Sequence, residues 1–138
     1  MRLVFATNNL HKLQEVRQIL PTTYVFLSLQ DVGFTEEIEE TGKTLEENSI
    51  LKAQTVWEWL HKHGEEETGV FADDTGLEVK ALGGEPGVYS ARYAGEPCDS
   101  QKNRQKLLQA LTSATNREAR FRTVVTLILP QGETTQLE

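Results

Sequence analysis

Apolar positions fall into short blocks of two different periods, and these predict a strand, helix, strand opening. Met1 to Thr7 is an apolar run with nothing charged after Arg2, the pattern of a buried strand. Leu10, Leu13, Val16 and Leu20 then recur at helical spacing, with Asn8 or Asn9 in place to cap the helix and Pro21 to stop it. Tyr24 to Leu29 predicts a second strand, closed by turn residues around Gly33. An acidic stretch, Glu36 to Glu40, leads into Thr44-Leu45-Glu46-Glu47, which fits the capping box of a second helix. That helix is expected to run to about Lys62, burying Ile50, Ala53, Val56 or Trp57, and Leu60, with Gly64 placed to end it.

Val70-Phe71-Ala72 predicts a third, short strand that ends directly on Asp73-Asp74. Gly83-Gly84-Glu85-Pro86-Gly87 interrupts regular structure. Asp99 or Ser100 caps a further helix carrying Leu107, Leu108 and Leu111, and Phe121 to Leu129 is the longest strand signal in the chain. Pro130-Gln131-Gly132 reads as a hairpin turn, and Glu133 to Glu138 as the start of a returning strand. Together these predict one α/β domain over residues 1–138, with a mixed central sheet flanked by helices, because a hairpin sits among the helical units.

Composition narrows the chemistry. With 138 residues, 38% hydrophobic and 25% charged, the chain can bury a core and is not a disordered tail. No apolar run approaches the roughly 20 residues of a membrane-spanning helix, and the start lacks a signal peptide's apolar stretch. A cytoplasmic protein is expected. The single cysteine, Cys98, makes no internal disulfide and starts no thiolate zinc site, so a bound metal would take oxygen ligands. The net charge of -7 leaves no basic stripe for a nucleic-acid polymer. A polyanionic ligand would need a divalent cation beside it.

Four stretches could carry chemistry, and each has a plainer reading. Thr7-Asn8-Asn9-Leu10-His11-Lys12 stands where the first strand hands over to the first helix, a place that suits phosphate, yet these residues could simply cap the helix. Asp73-Asp74 ends an apolar strand, where paired carboxylates call for a cation such as Mg²⁺; equally, Asp-Asp-Thr-Gly could be an ordinary turn. Glu39-Glu40-Thr41-Gly42 precedes Thr44, Asn48 and Lys52, which share one helix face; that stripe could hold metal and phosphate, or be the wet side of an amphipathic helix. Gly87 to Tyr93 offers Arg92 as a phosphate fork or a structural ion pair. The three histidines form no zinc pattern, and no serine or cysteine nucleophile has an evident base.

Four blocks in order, Ala6-Thr7-Asn8-Asn9 through Lys12, Glu40-Thr41-Gly42 through Lys52-Ala53, Ala72 through Leu77, and Leu82 through Gly95, resemble the non-canonical purine nucleoside triphosphate pyrophosphatases, the inosine triphosphatase or Ham1-like family. The resemblance implies the fold of that family and Mg²⁺-dependent hydrolysis of ITP, dITP or XTP to the monophosphate and pyrophosphate. It assigns Thr7, Asn8, Asn9, Leu10, His11 and Lys12 to the triphosphate, Glu40 and Asp74 to the metal, and Asp74 also to proton acceptance. Thr75 would touch substrate, with Lys52 and Arg92 as further phosphate ligands; a homodimer is the implied assembly. Family members continue into Phe-Gly-Tyr-Asp-Pro and Ser-His-Arg segments that read the purine base. Residues 1–138 contain neither, so a truncated domain lacking base recognition is expected. Two alternatives stay open: a non-catalytic nucleotide- or metal-binding fragment, and a Maf-like pyrophosphatase for another nucleotide.

Overall fold

A computed structural model describes all of residues 1–138. Its elements are β1 (Arg2–Phe5), α1 (Leu10–Ile19), β2 (Val25–Leu27), α2 (Leu45–Lys62), β3 (Thr68–Val79), β4 (Pro86–Gly87), α3 (Ser100–Ala110), β5 (Ala119–Ile128) and β6 (Thr134–Leu137). The helix starts follow the capping residues. The Asn9 Oδ1 accepts the Lys12 N–H at 3.1 Å, and the Thr44 Oγ1 accepts the Glu47 N–H at 3.1 Å. The Glu47 carboxylate takes the Lys43 N–H at 2.6 Å, one residue earlier than a standard capping box would. Asp99 caps α3 by accepting from Gln101 and Lys102.

The strands order as β2-β1-β3-β5-β6, with β4 also on β3. β1 runs parallel to β2 and β3, while β5 runs antiparallel to β3 and β6. The expected mixed sheet is therefore present. From β1 the chain moves out to β2 and then crosses back to β3 on the other side. Right-handed crossovers then put α1 and α2 on opposite faces, and the carboxyl ends of β1 and β3 mark the switch point where such sheets open a crevice.

One face is closed by α2. Val4, Ala6, Val70, Ala72 and Ile128 pack on Ala53, Val56 and Leu60, with Leu29 and Phe34 completing the cluster. Val56 lies in the core and Trp57 at its edge, where the indole N–H donates to the Leu129 carbonyl at 3.1 Å and anchors the β5–β6 hairpin. Polar bonds hold α2 as well: Ser49 meets Thr126 at 2.7 Å, and the Gln136 amide bridges Thr126 and the Glu46 carbonyl. Arg122 on β5 pairs with both Glu46 and Glu78.

The opposite face is thinner. Phe5 stacks on Phe71 at 4.5 Å with Phe26 beside them, but α1 contributes no buried residue. The expected stripe is thus only partly covered: Leu10 is 70% exposed, and Leu13, Val16 and Leu20 are half-buried. A cavity of about 340 Å³ separates α1 from the sheet, and Lys12 reaches across it to Asp73. Helix α3 likewise leaves Leu108 exposed, and Leu111 just past its end makes the seal.

A second expectation is corrected in β3. The strand does not end at Ala72; it runs 12 residues through Asp73-Asp74, paired to β5 from Val70↔Ile128 to Val79↔Ala119. The turn reading of Asp-Asp-Thr-Gly therefore falls, because each carboxylate finds a cation on its own face of the pleat. Next to this segment, Gly76 lies so close to β4 that a Cβ would stand 2.4 Å from the Gly87 carbonyl oxygen. Gly76→Ala should therefore push β4 off β3 and destabilise the chain by about 2 kcal/mol in urea unfolding; an unchanged midpoint would contradict this packing.

Candidate active site

The site grows from a gap in the sheet. β1 pairs with β3 only as far as Phe5↔Phe71, and β4 takes up the same side of β3 only at Leu77↔Gly87. Between those pairs Asp73 to Gly76 border a notch, which opens at the carboxyl end of β1.

The pleat sends neighbouring side chains to opposite faces. Asp74 points toward α2, where the Lys52 Nζ lies 3.6 Å from its Oδ1 and 3.2 Å from the Glu40 Oε1. Asp73 points toward α1, where the Lys12 Nζ lies 2.7 Å from its Oδ2. Thr75 shares the Asp73 face and meets Thr123 at 2.8 Å. Glu40, Lys52, Asp74 and Arg92 thus gather on one side, while Lys12, Asp73 and Thr75 gather on the other. Thr7, Asn8 and Leu10 line a separate groove at the end of β1 with Ser28 to Asp31, and His11 is exposed.

Of the stripe Thr44, Asn48, Lys52, only Thr44 is wet. Asn48 is fully buried, and the Lys52 side chain is 13% exposed. The Asn48 Oδ1 accepts the Gly42 N–H at 2.7 Å and so fixes the loop that carries Glu40. Gly42 has no space for a side chain, since a Cβ would lie 2.5 Å from that same oxygen. Arg92 reaches Glu40 from the far side, with Nη1 at 3.9 Å from Oε2 and Nη2 donating to the backbone carbonyl at 3.4 Å. Its guanidinium lies over the Tyr89 ring.

Sequence reasoning missed how that arginine is held. The Asn103 amide of α3 donates to the Ser90 and Ala91 carbonyls and accepts the Ala94 N–H. Ser90 accepts the Leu77 N–H at 2.8 Å and pins the loop to β3. The only signal for Asn103 was its place one turn beyond the Asp99 cap.

Burial pushes the Asp74 carboxyl above its ordinary value; Lys52 opposes this and Glu40 reinforces it. The Asp74 Oδ2 and, on the other face, the Asp73 Oδ1 are buried without a hydrogen-bond partner. The orphaned hard oxygen of Asp74, on the Glu40 side, suits a small divalent cation, which Glu40 and Asp74 would hold. Mg²⁺ needs only one or two carboxylates when water and phosphate oxygens complete its shell. That limit matters because no three metal-ligating side chains converge anywhere in the chain. No helix is long and apolar enough to cross a membrane.

The fold and site define an α/β protein with a charged, partly dry notch at its switch point, suited to a cation and an anionic ligand together. Residues 3–138 match the Ham1 family, and the chain belongs to it. It is 52% identical over 129 residues to a dITP/XTP pyrophosphatase of Flavobacterium johnsoniae, covering 94% of this chain and 64% of that one. To the Bacillus subtilis dITP/XTP pyrophosphatase it is 47% identical over 138 residues, covering 98% and 67%. The Ham1 protein of Staphylococcus aureus superposes with a TM-score of 0.86 at 40% identity, covering 99% of this chain and 67% of that chain. The chain therefore spans about two thirds of the length of the relatives it matches.

The raised Asp74 value sets a pH dependence. Between the ordinary value of 3.8 and the higher folded one, the folded state holds more protons than the unfolded, so this group's contribution to stability falls as pH rises. In metal-free buffer Asp74→Asn should melt above the parent at neutral pH, and the difference should shrink as the pH is lowered toward 4. A difference in calorimetric Tm that does not vary with pH would contradict the assignment.

Proposed function

We propose that this chain carries the phosphate- and metal-handling part of an enzyme that hydrolyses non-canonical purine nucleoside triphosphates, ITP, dITP and XTP, to the monophosphate and pyrophosphate. The observation that supports it best is the buried Asp74 carboxylate, with one free oxygen, beside Glu40 at the mouth of the notch. The dITP/XTP pyrophosphatase names of the relatives agree with this reading.

In this reading the triphosphate lies across the notch, with its anionic oxygens toward the α1 start and Lys12. Thr7, Asn8, Asn9, Leu10 and His11 shape that end, where free N–H groups and the helix dipole favour phosphate. Mg²⁺ held by Glu40 and Asp74 would supply positive charge to the phosphates and lower the pKa of a water. Asp74 accepts a proton from the attacking water as its oxygen bonds to the α-phosphorus. The bond from that phosphorus to the bridging oxygen breaks, and pyrophosphate leaves with the bonding pair. Lys12, Lys52 and Arg92 neutralise its growing charge, and Thr75 positions substrate from the opposite face. No covalent intermediate is needed.

Base selection belongs, by the family resemblance, to the Phe-Gly-Tyr-Asp-Pro and Ser-His-Arg segments, which residues 1–138 do not contain. The same reading puts the protein in the cytoplasm, as a homodimer that gel filtration would reveal. With XTP and Mg²⁺, Asp74→Asn should release pyrophosphate at least roughly 10²-fold more slowly than the parent while keeping its circular dichroism spectrum. Near-normal release by that variant would overturn the role of Asp74. Heat on titration of Mg²⁺ and nucleotide without any turnover would favour a binding-only protein.

A further inference from the structure

Lys52 stands between the two residues assigned to the cation. Its ammonium lies 3.2 Å from the Glu40 Oε1 and 3.6 Å from the Asp74 Oδ1. We propose that Lys52 is a resident counter-ion of the Glu40–Asp74 pair, and that a divalent cation binds by expelling the Lys52 ammonium, which is thereby released to bind phosphate. This deepens the functional reading above and rests on Glu40 and Asp74 being cation ligands.

Burial makes a counter-ion necessary. Glu40 is partly covered and Asp74 is 9% exposed, and two carboxylates this close cannot both stay charged in a dry site without a cation between them. The lysine meets that need incompletely. A saturated ion pair would use the remaining lone pairs and donors, whereas the Asp74 Oδ2 and the Asn48 Nδ2 beside it are buried and unpartnered. Lys12 on the other face has a single carboxylate at 2.7 Å and bridges nothing.

Chemistry favours exchange over coexistence. An ammonium and a divalent ion repel each other, so both cannot occupy the short span between the same two carboxylates. Lysine is a point charge on a flexible four-carbon stem, able to swing its charged end away. An arginine clamp would not be so free. Glu40, Asp73 and Asp74 face Lys12, Lys52 and Arg92, which leaves the resting site electrically balanced. Arrival of a doubly charged ion then creates a positive excess that only an anion removes. The two ligands become coupled through one side chain.

Calorimetric titration of the whole chain with MgCl₂ alone, without nucleotide, tests this. Lys52→Met should bind Mg²⁺ at least tenfold more tightly than the parent, and Lys52→Gln, retained in case the Met variant does not fold, should do the same. Equal or weaker binding by the folded variants overturns the exchange. If Asp74→Asn abolishes binding in that same experiment, the ligand assignment survives the loss of the proposal. If neither the parent nor the Lys52 variants bind Mg²⁺, both fall. Nitrogen-15 spectra of the lysine ammonium groups give a second readout: the Lys52 signal, sheltered from solvent at rest, should broaden by exchange when Mg²⁺ is added. A signal unchanged at saturating Mg²⁺ overturns the proposal.

Discussion

Two adjacent carboxylates on one central strand impose the constraint around which this molecule is built. A strand cannot aim consecutive side chains at the same place, so Asp73 and Asp74 emerge on opposite faces. Each is about nine-tenths buried, and an uncompensated buried carboxylate costs several kcal/mol. Each face must therefore deliver its own cation. Lys12 comes from α1 and Lys52 from α2, and both are in place only if the two helices cover opposite sides of the sheet. The crossing of the chain from β2 past β1 to β3 provides that arrangement. Topology and charge balance are in this sense one requirement.

The two faces meet that requirement with unequal rigidity. Below α2 the sheet is sealed by Val4, Val70, Ala72 and Ile128 against Ala53, Val56 and Leu60. The contacts among Ser49, Thr126 and Gln136 lock the helix against β5 and β6. At its amino end, Arg122 hydrogen bonds hold the Glu46 carboxyl below its ordinary value; at Glu78 burial pushes upward, but Arg122 and Arg120 prevail and keep that group low as well. Those pairs stabilise the fold above the carboxylate range and are lost as pH falls through it. Helix α1 has no comparable anchoring, and beneath it lies a cavity rather than a core. The residues proposed for the metal thus sit on the stiff side, and the start of α1, proposed for phosphate, on the yielding one.

Much of this was legible in the residues. Asn9, Thr44 and Asp99 announced their helices by capping chemistry, which is local and needs no tertiary partner. The hairpin at Pro130 and the mixed sheet followed from periodicity. What failed was whatever depended on distant partners. Asp-Asp-Thr-Gly has turn composition, and nothing local reveals that Lys12, 61 positions away, and Lys52 would let the strand continue. The Thr44–Asn48–Lys52 stripe looked solvated because polar helix faces usually are. Thr44 is exposed as expected, but Asn48 is fully buried and Lys52 partly so, because the loop carrying Glu40 folds over them and gives Asn48 a backbone N–H to accept. Conversely, the apolar stripe of α1 looked like core and is half open. For the two helices the pattern identified the element and the burial came from elsewhere; for β3 the pattern ended the strand too early.

Arg92 shows why the glycine-rich segment must be as tightly specified as the strand it follows. Its reach to Glu40 depends on a segment whose only regular structure is one 3-10 turn at Ser90–Arg92, so backbone groups that the turn leaves unpaired need partners from outside. Asn103 supplies three of those bonds, Ser90 fastens the loop to the Leu77 amide, and Lys106 donates to the Tyr93 carbonyl. Helix α3 is otherwise poorly buried; its main connection to the rest of the molecule is this polar one. A helix that packs little but satisfies a loop serves the position of one guanidinium rather than the core. With Glu40 fixed by Asn48 on one side and met by Arg92 on the other, its carboxylate keeps its place beside Asp74 even though the loop that bears it has no strand or helix of its own.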